Sequence, residues 1–64
     1  MLTPREREVV QLIAEGHSNK VAPEVLHIGL RSVETHYTAA MRKLQVSSAT
    51  ALVRYAVRNK LVEP

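Results

Sequence analysis

Asn19-Lys20-Val21-Ala22-Pro23-Glu24-Val25-Leu26-His27-Ile28-Gly29-Leu30-Arg31-Ser32-Val33-Glu34-Thr35-His36-Tyr37-Thr38 decides how this chain is read. It reads as a short helix, a tight turn and a second helix whose outer face is polar. Leu2-Thr3-Pro4-Arg5-Glu6-Arg7-Glu8 opens the chain before it, and Met41-Arg42-Lys43-Leu44 follows it. A helix, a turn and a polar-faced helix are the parts with which a protein lays one helix in the major groove of DNA.

Within that stretch, Ser18 is the expected cap of the first helix, which should run over about residues 19–26. Val21 or Ala22, Val25 and Leu26 form its apolar side. Pro23 opposes it, because an interior proline lacks an amide donor and clashes with the carbonyl four residues back, at about 3 kcal/mol. Near a helix start the cost falls, since the first amides have no partner anyway. A short, distorted or late-starting helix is therefore expected. His27-Ile28-Gly29 is the turn, with Ile28 plugging the core and Gly29 at the N-cap of the next helix. That helix spans about 30–44. Val33, Tyr37 or Ala40, Met41 and Leu44 make one face, and Arg31, Glu34, Thr35 and Thr38 make the other.

Outward from the pair, Thr3, Pro4 and Glu6 give a capping box with proline at the first helical position. Val9, Leu12 and Ile13 recur at helical spacing, and Gly16 supplies a left-handed stop. The first helix is thus about 4–15, and Glu6, Glu8 and Glu15 read as its surface charges. Val46 is a buried link. Ser47 or Ser48 caps a last helix of about 49–59, with Leu52, Val53, Ala56 and Val57 inside. Leu61 and Val62 finish the core and Pro64 closes the chain. Four helices without a strand signal predict an all-α domain whose short loops force neighbours to pack.

Composition bounds the function. Sixty-four residues make one domain, and a chain of this size buries only about 60% of its unfolded surface, so its core is marginal. There is no cysteine for a disulfide or thiolate site. No run is long and apolar enough to span a membrane, and the early charges Arg5 to Glu8 exclude a signal peptide. The domain begins and ends at helix signals, as an excised domain would. Nine Lys and Arg against six acids, net +3, suit a nucleic-acid partner without demanding one. With no Phe or Trp, only Tyr37 and Tyr55, single-strand stacking is not expected. His17, His27 and His36 share no helical turn, so no metal site is expected. No nucleophile sits beside a His with an orienting acid, and no glycine-rich phosphate loop exists, so no enzyme and no cofactor are expected.

These blocks, in order and at their spacing, resemble the DNA-binding domain of the LuxR/NarL/FixJ (GerE-like) class of bacterial transcription regulators. Leu2 to Val10, Ile13-Ala14-Glu15-Gly16, Ser18-Asn19-Lys20, Ser32-Val33-Glu34-Thr35-His36, Met41-Arg42-Lys43-Leu44 and Leu52-Val53-Arg54-Tyr55-Ala56 carry the likeness over nearly the whole chain. The resemblance implies a wingless four-helix helix-turn-helix over residues 1–64, with its motif at about 19–38, acting as a C-terminal effector domain behind a receiver or sensor. It is greatest to the response-regulator branch of two-component systems. It implies double-stranded DNA as partner, with Glu34, Thr35 and Thr38 at base edges and Lys20, Arg31, Ser32, Tyr37 and Lys43 at phosphates. It further implies a homodimer through the last helix, by Arg54, Tyr55 and Arg58, reading an inverted repeat. RNA polymerase as a further partner and a cytoplasmic location go with it.

The chain departs from the family's pattern in places. Val21-Ala22-Pro23 stands where an acidic-isoleucine-alanine run is preferred. Alternatively, Val21-Ala22 matches isoleucine-alanine, with Pro23 an insertion beside a one-residue deletion. Gly29 replaces a Ser cap, Ala40 a larger aliphatic, Gln45 a C′ glycine, and Ala51 a Glu that would complete a capping box on Ser48. The bland reading of Lys20, Arg31, Arg42 and Lys43 is a solvated face. That of Glu34 is an ion pair with Arg31 one turn back, and that of Tyr37 is core packing. The rival function is a helical protein-interaction module that has lost its DNA face. A third reading is a domain that orders only on its partner.

Overall fold

The computed structural model describes residues 1–18 and 20–62. Asn19 as the start of a helix and Pro64 as the end of the chain lie outside them. Among the described residues the regular elements are four helices: α1 Pro4–Ala14, α2 Ala22–Leu26, α3 Leu30–Leu44 and α4 Ala49–Arg58. α1 is the central strut and touches the other three, while α2 also packs on α3.

The helix ends follow their local chemistry. The Glu6 amide donates to Thr3 Oγ1 at 3.2 Å and the Thr3 amide donates to Glu6 Oε1 at 2.9 Å, which closes the capping box. Gly16 at φ 100° ends α1, with the His17 amide donating to the Leu12 carbonyl at 3.0 Å. Ser48 Oγ accepts from the Ala51 amide at 3.1 Å and starts α4. Gly29 begins α3 from extended backbone, without a side-chain cap.

α2 is short and starts late, as expected from Pro23, but its cap and its apolar side differ from the expectation. It has five residues, its N-cap is Val21 and no side chain caps it. Ser18 instead accepts from the Lys20 amide at 3.3 Å and from the Val21 amide, through its carbonyl, at 3.1 Å, so it builds the turn before the helix. The late start places Pro23 at the second helical position, where an amide would have no intrahelical partner. That is how the proline is absorbed. The apolar side is also narrower than expected. Ala22 is buried and Leu26 half-buried, four residues apart, while Val21 and Val25 stand 38% and 49% exposed.

α2 and α3 both end on side-chain-bearing residues in the left-handed region, His27 and Gln45, each at φ 57°. Each such residue costs roughly 1–2 kcal/mol. The amides after them repay part of that: Ile28 donates to the Pro23 carbonyl at 3.2 Å and Val46 to the Met41 carbonyl at 3.1 Å.

Two adjacent valines of α1 organise the core, because consecutive helical residues point about 100° apart. Val9 packs with Ala22 of α2 and Val33 of α3, closed over by Leu12, Leu26 and Ile28. Val10 packs with Ala40 of α3 and Leu52 of α4, closed over by Leu2, Met41, Leu44, Val46 and Leu61. Ile13 and Tyr37 join both clusters. Ala40 is fully buried despite its small size. In α4, Leu52 and Ala56 are buried and Val57 half-buried, but Val53 is 37% exposed and lies outside the core where it had been expected inside.

Candidate nucleic-acid interface

α3 is amphipathic through its whole length. Val33 and Ala40 are buried, and Tyr37, Met41 and Leu44 half-buried, so the opposite side faces solvent. Arg31, Glu34, Thr35, Thr38, Ala39 and Arg42 line one open, shallow depression along it. Fifteen residues at about 1.5 Å rise make a rod of roughly 22 Å, long enough to follow a major groove across several base pairs. Arg31, Glu34, Thr35 and Thr38 were expected on this face and all stand there. Arg42 was not counted among the contact residues, although its spacing of four from Thr38 places it on the same strip.

The chemistry of the strip is mixed. Thr35 Oγ1 donates to the Arg31 carbonyl at 2.9 Å. With its proton engaged, that hydroxyl offers outward only lone pairs and a methyl group, which suits an amino group or a thymine methyl. Glu34 is exposed. The ion pairs among the described residues are Arg5–Glu8 and Lys43–Glu6, so the Arg31–Glu34 pair of the bland reading does not form. Lys20 lies exposed in the turn before α2, and Ser32 is exposed in the first turn of α3.

Two residues expected at phosphates make contacts within the domain. Tyr37 packs its ring against both core clusters. Lys43 reaches back to α1, where its Nζ donates to Glu6 Oε1 and Oε2 at 2.8 and 3.1 Å. Glu6 is thus no surface charge: it is 5% exposed. The Lys43 ammonium and the Thr3 amide together hold its carboxyl below the usual carboxylate range. A depressed folded-state pKa contributes stability that is full above the ordinary value and fades as pH falls through it. Acidification through the carboxylate range should therefore lower the thermal midpoint, and Glu6→Gln should flatten that dependence. An equally steep fall in the variant would place the acid-sensitive group elsewhere.

On α4, Arg54 and Arg58 are exposed and Tyr55 half-buried. With Leu44, Val46 and Ala51 they line a groove beside the end of α3. Thr50 and Val53 lie exposed, with Val57 half-buried, on the flank of α4 away from Tyr55. Among the described residues no group of His and acids is placed to hold a metal ion, and no helix is long and apolar enough to cross a membrane.

Residues 1–56 match the family described as bacterial regulatory proteins, luxR family. The chain belongs to the luxR family. This family comprises DNA-binding regulators of transcription and not enzymes, so the four-helix fold is a LuxR-type helix-turn-helix domain. Relatives share this sequence closely. The oxygen regulatory protein NreC of Staphylococcus carnosus (strain TM300) is 41% identical over 63 residues, covering 98% of this chain. Its counterparts in Staphylococcus epidermidis (strain ATCC 12228 / FDA PCI 1200) and Staphylococcus aureus (strain USA300) are 43% identical over the same share of the chain. The chain spans 29% of the length of each of these relatives.

Proposed function

We propose that residues 1–64 form one sequence-specific, double-stranded DNA-binding domain, the effector part of a longer cytoplasmic regulator. The observation that carries this reading is the single exposed strip on α3 running from Arg31 to Arg42. Lys20, Arg31, Ser32 and Arg42 set the register on the phosphates, and Glu34, Thr35 and Thr38 read base edges. A carboxylate such as Glu34 repels phosphate but accepts from a cytosine amino group, so it disfavours other bases as much as it selects one.

A second copy reads the mirrored half-site of an inverted repeat. The contact runs along α4. Val53 and Thr50 offer its apolar flank, with Arg54 and Arg58 at its edge and Tyr55 turned toward the neighbouring groove. One domain alone binds weakly, and pairing within the full protein raises the effective concentration of the second. RNA polymerase is a natural partner of the assembled regulator.

The test is an amide NMR titration with short duplexes at low and moderate salt, followed by base-by-base competition with Thr35→Ala. Shifts should gather on Lys20 and on the exposed strip of α3. Thr35→Ala should relax preference at one base position, by up to about 1–3 kcal/mol, with little change on random duplex. A dispersed spectrum that ignores DNA would overturn the reading in favour of a protein-interaction module.

A further inference from the structure

Lys43 carries the one strong basic group on α3 that is turned away from the reading strip. It follows Arg42 directly, so it points about 100° round the helix from it. Its ammonium bridges both oxygens of Glu6 at 2.8 and 3.1 Å, while the same carboxylate accepts the Thr3 amide at 2.9 Å. One buried group thus ties the first turn of α1 to the last turn of α3. Among the described residues this pair is the side-chain hydrogen-bonded link between those two helices. Apolar contact between them runs through Val9, Val10 and Ile13.

We propose that Lys43 is a positioning residue, seating the C-terminal end of α3 on α1 through Glu6, and is not a phosphate ligand. Apolar contact is non-directional, so Val9 and Val10 constrain the rotation and slide of α3 on α1 less sharply than a hydrogen-bonded pair does. A bidentate ion pair of defined geometry fixes both. Moving the ammonium to a phosphate would strand a nearly buried carboxylate without its cation, the costly half of a broken pair. The Lys43 side chain is 39% exposed, but its ammonium is held by the buried carboxylate, so on this proposal DNA binding leaves the pair intact and its worth lies in where Arg31, Glu34, Thr35, Thr38 and Arg42 stand relative to the groove. This rests on α3 being the helix that reads DNA.

Lys43→Met and Glu6→Gln, each checked for a dispersed amide spectrum, are titrated with a selected duplex and a random duplex over a range of salt. A lost phosphate contact lowers the salt slope by about 0.9. Both variants should keep the wild-type slope and lose about tenfold in preference for the selected site, comparable to one mismatched base pair. A slope lowered by Lys43→Met alone overturns the proposal. Should either variant fail to fold, the wild-type domain decides. The Glu6 carboxyl titration, followed by carbon NMR, should keep its low midpoint when duplex is added, and a rise would show the ammonium leaving for DNA. If wild-type protein ignores both duplexes, it is the DNA reading that fails. The seating of α3 is then judged by the Glu6 midpoint alone, which must rise in Lys43→Met or in Lys43→Gln.

Discussion

Leu52→Ala should remove a large share of this domain's stability, about 2–5 kcal/mol. Leu52 is fully buried and is the largest side chain so placed. It is the α4 contribution to the cluster formed with Val10 and Ala40. Truncating a buried leucine costs about 2–5 kcal/mol, from lost transfer energy and from the cavity left behind. A domain of this length commonly holds about 3–10 kcal/mol in all. Ala40 sharpens the effect, since it is already the smallest side chain in the cluster and cannot swing in to fill the space. Val53→Ala is the matched control. One residue further on, Val53 is 37% exposed, so its truncation should change stability by no more than about 0.5 kcal/mol. Urea unfolding followed by far-ultraviolet circular dichroism separates the two. Comparable losses from both would mean that α4 is packed about a different axis.

Arg31→Ala combined with Arg42→Ala should weaken binding to every duplex, whatever its sequence. The two guanidinium groups stand at opposite ends of the α3 strip, and neither is held in an ion pair among the described residues. Each contact with a phosphate adds about 0.9 to the slope of log affinity against log salt, so the pair should account for about 1.8. At 0.1 M salt that is roughly a sixtyfold loss, equal on selected and random DNA. Fluorescence anisotropy with labelled duplexes at several salt concentrations gives both quantities. An unchanged slope with a loss confined to the selected site would make the arginines readers of bases. The contrast with Lys43 is informative, because all three are cations of α3 and simple charge counting treats them alike.

Much of this was legible without coordinates. Thr3, Pro4 and Glu6 announce a capped helix start, Gly16 a stop and Ser47 or Ser48 another start, because caps and breakers act through their own backbone neighbours. The exposed strip of α3 was legible for a related reason. Arg31, Glu34, Thr35 and Thr38 recur at the helical period, and the apolar residues Val33, Ala40 and Leu44 lie opposite them. The order and spacing of the family's motifs carried the fold and the class of function.

Other placements depended on what each helix meets in space. Ser18 could cap a helix from residue 19 or build a turn ahead of a later one, and the packing of Ala22 against Val9 and Val33 selects the second. Val53 and Leu52 are equally apolar, but only a narrow arc of α4 touches α1. Glu6 belongs to a capping box by local rule alone. That it is buried and holds Lys43, 37 residues away, follows from the crossing of α1 and α3. Caps, turns and periodicity are short-range and written in neighbouring residues, whereas burial and long-range ion pairs are set by which surfaces the packed helices cover.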